Sequence, residues 1–561
     1  MAYDLEPVKA PRAAGGLLKF LVHLVENPVI GALLSKKLLA QTGVVAMRDT
    51  QADEEPFRHH ELYENTAAIN DKNETLTDIL EIAFQQPKEG FHFPEAADYV
   101  SAYNQGRTDP LTIARRFIDL ARQSDDEAPG MGFFIARDSE DLLKQARASA
   151  KRYQDGKPLS PLDGVPIAVK DEIDQTPYPT TVGTGFLGRS PVKEDATVVA
   201  RLRAAGALLV GKTNMHEIGI GVTGINPNWG PARNPYDPER ITGGSSSGTA
   251  AVVASGLCPI AVGADGGGSI RIPAAFCGVN GLKPTFGRVS EKGAAPLCWS
   301  LAHLGPIASS IRDLALTYSI IAGPDTRDPN SLLQPMPDMA GLKAKDLSGI
   351  RLGIYKPYFE DADPKVVSKC YEVVDILKQN GAIIEEIEIP ELSVLRSVHL
   401  VTIVSEMAGA HIGYYADHKK DYGYETRMSL ALGRRLGGYD YVHAQRLRSR
   451  VSGYFFNILK RVHGIITPTI GMTAPKIPTD AIKTGESNLG LTTSIMRFAT
   501  AANLTGLPAI TFPAGYDDAG MPIGFQVMGR AWKEDLLLRI AFAVQAQMTK
   551  QRPKRFFNTL G

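Results

Sequence analysis

The stretch DATVVARLRAAGALLVGKT, residues 195–213, decides the fold because it supports two incompatible readings. Gly206 to Thr213 fits G-x-x-x-x-G-K-[ST], the loop that cradles nucleotide phosphates, letter for letter. Such a loop needs a strand before its first glycine and a helix after its lysine. Here the order is inverted. DATVVARLRAAG has helical periodicity and stops at Gly206, and the apolar ALLV between the glycines is itself a strand. The nucleotide match is therefore fortuitous, and Lys212 is read as a strand-end lysine.

The same alternation extends outward. VPIAVK (165–170) is a short apolar strand upstream. Downstream, IRLGIY (350–355) precedes the helical PKVVSKCYEVVDILKQNG (364–381) and the strand AIIEEIEI (382–389). Near the end, LPAITFPAGYDDAGMPIGFQVMG (507–529) reads as a hairpin across DDAG, followed by the helix KEDLLLRIAFAVQAQM (533–548). The expected class is α/β, a large mixed twisted sheet covered on both faces by helices. Residues 76–561 are assigned to this body.

With 561 residues, 43% of them hydrophobic and 22% charged, the chain has an ordinary globular composition. Its 61 basic and 61 acidic residues balance, which disfavours nucleic acid as a partner. Four cysteines without C-x-x-C spacing read as reduced thiols of a cytoplasmic protein.

Residues 1–75 are assigned to a helical hairpin and a polar connecting arm. In LLKFLVHLVENPVIGALLSKKLL (17–39), Lys19, His23 and Glu26 make one narrow polar stripe, and Asn27-Pro28 starts a second helix. The charges argue against a signal-peptide core. This hairpin is read as a peripheral membrane contact or as a packing and dimer contact.

Two serine-bearing stretches carry the chemistry. GSSSG (244–248) fits the G-x-S-x-G nucleophile elbow and would nominate Ser246, with His303, His399 or His411 as a base. The preceding NPYDPERITGG cannot be the buried strand an elbow needs. GADGGGSIRIP (263–273) instead concentrates backbone freedom before Ser269, as required where the N–H groups of Gly266, Gly267, Gly268 and Ser269 must approach an anion.

Taken with Lys170 at the end of VPIAVK, Ser245 and Ser269 resemble the amidase signature family of Ser-Ser-Lys hydrolases, down to the separation 269 − 245 = 24. The resemblance continues through CGVNGLKPTFGRVS (277–290) and ANLTGLPAITFPAGYDDAGMPIGFQVMGR (502–530). GGSSSG, DGGGS, TNMHEIGIGVTGINPNWGPARNP (213–235) and the N-terminal helical pair are most similar to its plant-type fatty acid amide hydrolase branch.

The resemblance implies Ser269 as nucleophile, Ser245 as proton relay after a cis peptide, and Lys170 as base. It also implies Gly266, Gly267 and Gly268 as oxyanion donors, with Ser246 in the substrate-binding set. Asp265 and Arg271 are read as a structural pair bracing the loop. The implied substrate is a lipid amide such as an N-acylethanolamine, the implied assembly a homodimer, and no metal or cofactor is called for. Short-chain or aryl amidases and glutamine-dependent amidotransferase components are the alternatives within the family. As a base Lys170 must be neutral, a displacement of ~3 units or roughly 4 kcal/mol from an ordinary lysine, which burial can supply.

Overall fold

The computed structural model describes residues 3–62 and 91–561 apart from 336, 338, 340 and 343. Helix Thr197–Ala204 is followed by a turn in which Gly206 takes φ +87°, then by strand Leu208–Thr213. A Cβ at residue 206 would lie 2.7 Å from Asp163 Cγ, so both the backbone and the space demand glycine. Lys212 is buried within that strand, with Nζ 3.4 Å from Asp171 Oδ1. It pairs with a carboxylate inside the protein, and no phosphate-binding loop surrounds it.

Eleven strands form the main sheet among the described residues. In spatial order they are Ile383–Glu386, Arg351–Ile354, Gly464–Pro468, Pro522–Gly529, Ala509–Tyr516, Asn280–Lys283, Leu304–Ala308, Ile260–Ala264, Pro166–Lys170, Leu208–Thr213 and Phe134–Ala136. The first three run parallel, as do Ile260–Ala264, Pro166–Lys170 and Leu208–Thr213; the central neighbours and the last edge pair are antiparallel. The expected mixed sheet is present.

Alternation along Pro166–Lys170 sends Ile167 and Val169 into one core and Ala168 into another. The first core takes Leu314 and Leu538 from helices Ile311–Ile321 and Glu534–Gln545. The second takes Ala251 from helix Ser247–Ala254 and Phe117 from Pro110–Asp126. A strand covered on both faces has no solvated side, which is why VPIAVK reads as a continuous apolar run. The C-terminal hairpin turns as expected, with Asp517 Oδ1 accepting the N–H groups of Ala519 (2.9 Å) and Met521 (2.8 Å).

Helices Gly15–Glu26 and Pro28–Gln41 meet at 110°. Asn27 Oδ1 caps the second, accepting the N–H groups of Val29 and Ile30 at 3.0 Å each. Leu18, Val22 and Val25 pack on Met428 and Ala431 of helix Tyr424–Gly433. The polar segment that follows lies against the body as far as it is described: Glu54 pairs with Arg450 at 2.8 Å, and the His59 ring stacks on Phe286 at 3.7 Å. The expected boundary at residues 75 and 76 falls outside the described residues.

Candidate active site

Lys170 ends its strand with its side chain 1% exposed. Its Nζ donates to Ser245 Oγ at 2.8 Å and to the Ala264 carbonyl at 3.4 Å, and lies 3.1 Å from Glu172 Oε2. Burial holds the amine below the usual lysine range, against the opposing pull of the Glu172 carboxylate. Ser245 follows the cis Gly244–Ser245 peptide, and its carbonyl accepts the His216 N–H at 3.0 Å. Lys170, Ser245 and Ser269 line one cavity of ≈ 460 Å³.

The turn before Ser269 is set by Asp265. Its carboxylate accepts the N–H groups of Gly268 (2.7 Å) and Ile270 (3.1 Å) and two guanidinium N–H groups of Arg271, each at 3.0 Å. Both side chains are fully buried. Burial alone would raise Asp265, but the Arg271 guanidinium overrides it and holds the carboxyl well below the usual range. Arg271 also donates to Asn503 Oδ1 (2.6 Å), Gln526 Oε1 (2.7 Å) and the Ala499 carbonyl (2.9 Å). The structural pair read from the sequence is thus the centre of a network that fixes the turn to the C-terminal hairpin.

Two sequence assignments need correction. Gly268 was expected to donate to an oxyanion, but its N–H is already committed to Asp265, and its φ of +117° serves the turn. The N–H groups of Gly266, Gly267 and Ser269 take no acceptor among the described residues and form the available set. Ser246 was expected to contact substrate. It is fully buried, does not line the cavity, and its hydroxyl donates to the Ala264 carbonyl at 3.2 Å. Its N–H ties the two serine loops together by donating to the Ser269 carbonyl at 3.3 Å.

The nucleophile-elbow reading fails for the same reason, since no histidine among the described residues reaches Ser246. His303 Nδ1 contacts the Leu301 carbonyl (2.8 Å), His411 Nδ1 the Tyr422 hydroxyl (2.9 Å) and His399 Nε2 the Gly266 carbonyl (3.0 Å). Burial pushes His399 down to about 4, so a neutral imidazole donates to that carbonyl and supports the glycine turn. A Cβ at Gly267 would lie 2.8 Å from Met496 Cε and 2.9 Å from the His399 ring, so the turn admits no side chain there.

Sequence reasoning missed Glu172, Asn503, Gln526 and His216, and named His399 only as a base for Ser246, not as a support of the glycine turn. Glu172 stands two residues past Lys170, and Asn503 and Gln526 lie inside the quoted C-terminal stretch, but their spacing carries no geometry. Behind the glycine turn lies a second cavity of ≈ 160 Å³ lined by Leu395, His399, Ile403, Val404, Met428 and Met496, among others. Gly219 and Gly266 line the nucleophile cavity, whereas Ile220 and Gly221 line the apolar one, so the two spaces adjoin.

A sequence model of the family described as Amidase matches residues 120–538. The fatty acid amide hydrolase of Arabidopsis thaliana is 41% identical over 586 residues, an alignment covering 100% of this chain and 96% of that protein. The fatty acid amide hydrolase of Medicago truncatula is 40% identical over 586 residues, again covering 100% of this chain and 96% of the relative. A solved amidase structure superposes with a TM-score of 0.72 at 31% identity, covering 81% of this chain and 100% of the other.

The Glu172 carboxylate stabilises a charged Lys170, so its removal lowers the lysine further. Glu172→Gln is expected to move the acidic limb of the kcat/KM profile to lower pH, because activity rises as the amine loses its proton. A pH-rate profile checks this. An unmoved acidic limb, or one moved upward, contradicts the assignment of that limb to Lys170.

Proposed function

Since this chain belongs to the amidase family and is an amide hydrolase, we propose that it cleaves long-chain acyl amides to a fatty acid and an amine through an acyl-enzyme on Ser269. The observation that carries this reading is the buried Lys170 amine on the Ser245 hydroxyl, in one cavity with Ser269, beside a separate and mainly apolar cavity.

An amide requires an activated nucleophile, a stabilised oxyanion and a protonated leaving nitrogen. Ser269 Oγ attacks the carbonyl carbon while its proton passes to Ser245 and the Ser245 proton to neutral Lys170. The carbonyl oxygen becomes an oxyanion within reach of the free N–H groups of Gly266, Gly267 and Ser269. Each such donor is worth roughly 2.7 to 4 kcal/mol in transition states of this kind. The proton then returns through Ser245 to the nitrogen, the C–N bond breaks, and the amine departs. Water repeats the sequence on the resulting ester, regenerating Ser269 and releasing the carboxylate. Ser269 forms no hydrogen bond to Ser245 in the free enzyme, and such contacts commonly tighten only with substrate bound.

The N-terminal extension supports a lipid source for the substrate. Leu5, Pro7 and Thr42 line the apolar cavity, and Met428 both lines it and packs on Leu18 and Val22. The outward face of the hairpin carries Leu17, Phe20, Val29 and Leu33, between 53% and 74% exposed. We propose that this face rests on a membrane surface from the cytoplasmic side, so that an acyl chain enters without crossing water. We propose a homodimer as the assembly.

Rates on a series of acyl amides sharing one amine should rise with acyl length, in KM first, until the apolar cavity is filled. A rate maximal at acetyl or benzoyl would instead favour the short-chain and aryl readings, and glutamine as the best substrate would favour the amidotransferase one. Flotation with phospholipid vesicles should recover the wild type, and Phe20→Ser/Leu33→Ser should stay in solution while hydrolysing a short soluble amide normally. A wild type that ignores vesicles and sediments as a dimer lost in the double variant would assign the face to a contact between two copies of the chain.

A further inference from the structure

The nucleophile cavity continues outward past Trp299 to Lys292, Arg327 and Asp328. In its wall stands Glu291, which none of the hydrolytic steps uses. The backbone around it is fixed: Glu291 N–H donates to Asp328 Oδ2 at 2.9 Å, and its carbonyl accepts the Ala294 N–H at 2.9 Å. Asp174 N–H and Thr197 N–H hold the next two carbonyls, those of Gly293 at 2.8 Å and Lys292 at 3.1 Å. On this rigid loop Glu291 is half-buried in the cavity lining, and its buried Oε1 has no hydrogen-bond partner among the described residues. Buried polar atoms in that condition are uncommon and call for an explanation.

The surroundings specify what is missing. Burial, and then the carboxylates of Asp328, Glu172 and Glu406, push Glu291 well above the usual carboxyl range. The cations on the rim are turned elsewhere: Lys292 Nζ lies 3.8 Å from Glu194, and Arg327 lies 3.7 Å from Glu194 and 3.3 Å from Asp325. Lys170, deeper in, is held by Glu172 and Ser245. A group that both donates a hydrogen bond and brings positive charge would complete this wall. A hydroxyl supplies only the first, and an alkyl group supplies neither.

We propose that Glu291 reads the amine half of the substrate, and that the favoured amides are those whose amine portion carries a second, protonated amino group, as in monoacylated diamines. This rests on the reading that Ser269 is the nucleophile and that the acyl half occupies the apolar cavity, which leaves the amine half facing outward along Glu291. Glu291 acts on binding and selectivity and takes no part in bond breaking.

The test uses the full-length enzyme, wild type, Glu291→Gln and Glu291→Leu, with three amides of one long acyl chain: N-(4-aminobutyl), N-(4-hydroxybutyl) and N-butyl. In the wild type the aminobutyl amide is expected to lead in kcat/KM by about tenfold over the butyl amide, through KM, with the hydroxybutyl amide between. Glu291→Gln should bring the aminobutyl amide level with the hydroxybutyl one. Glu291→Leu should bring both to the level of the butyl amide, whose own kcat/KM stays within about twofold in all three enzymes. The proposal is overturned if the wild type does not favour the aminobutyl amide, if that preference survives in Glu291→Gln, or if all three amides decline together. A wild type inactive on every member of the series overturns the long-chain acyl amide reading, and this proposal with it.

Discussion

The hydrogen bond from the Lys170 amine to Ser245, at 2.8 Å and closed to solvent, sets the terms for the rest of the molecule. An amine at that position is useful as a base only without its proton, and the environment that weakens its hold on the proton is the sheet itself. Pro166–Lys170 lies between two parallel neighbours and under helices on both faces, so its last residue is withdrawn from bulk water and meets solvent only through the cavity it lines. The large sheet is thus the source of the chemistry as well as its support. Glu172 works against the desolvation at 3.1 Å, which keeps the amine from becoming indifferent to protons and leaves it able to accept one and return it.

The second constraint is the turn that carries Ser269. Three successive glycines would be a loose segment on their own, with a large entropy to lose on ordering. Asp265 removes that freedom by accepting main-chain N–H groups from both sides of Ser269. Arg271 makes the buried carboxylate tolerable and ties it to Asn503 and Gln526. His399 holds the Gly266 carbonyl from the apolar side. With the turn fixed by these contacts, the N–H groups left over are rigid donors, and rigid donors need no reorganisation when charge develops.

Much of this was legible in the sequence, for identifiable reasons. The inverted order around Gly206 to Thr213 gave helix, turn and strand, because periodicity and glycine placement are local properties. The reactive set came from the family resemblance that the serine separation and the strand-end lysine carry, since Lys170 meets Ser245 across 75 residues that no local pattern spans. Gly268 and Ser246 were assigned wrongly because both sit beside reactive residues in the chain while their polar groups are spent on Asp265 and Ala264. Which of several adjacent amides is free depends on hydrogen bonds that spacing does not encode. Asn503 and Gln526 reach the site from more than two hundred residues away, and Glu291 acquires its environment only when the loops carrying Asp328 and Glu172 converge. Contacts of that range leave no local pattern.

The most direct measurement of a lysine-activated Ser269 is labelling by a fluorophosphonate, with the modified residue identified by peptide mass spectrometry and the rate compared in Lys170→Ala. The expected result is a single label on Ser269 in the wild type, and in Lys170→Ala a labelling rate lower by about 10² to 10⁴-fold, the usual contribution of a general base, with the thermal unfolding transition retained. A label on Ser245 or Ser246, or a folded Lys170→Ala enzyme that is labelled at the wild-type rate, would contradict it.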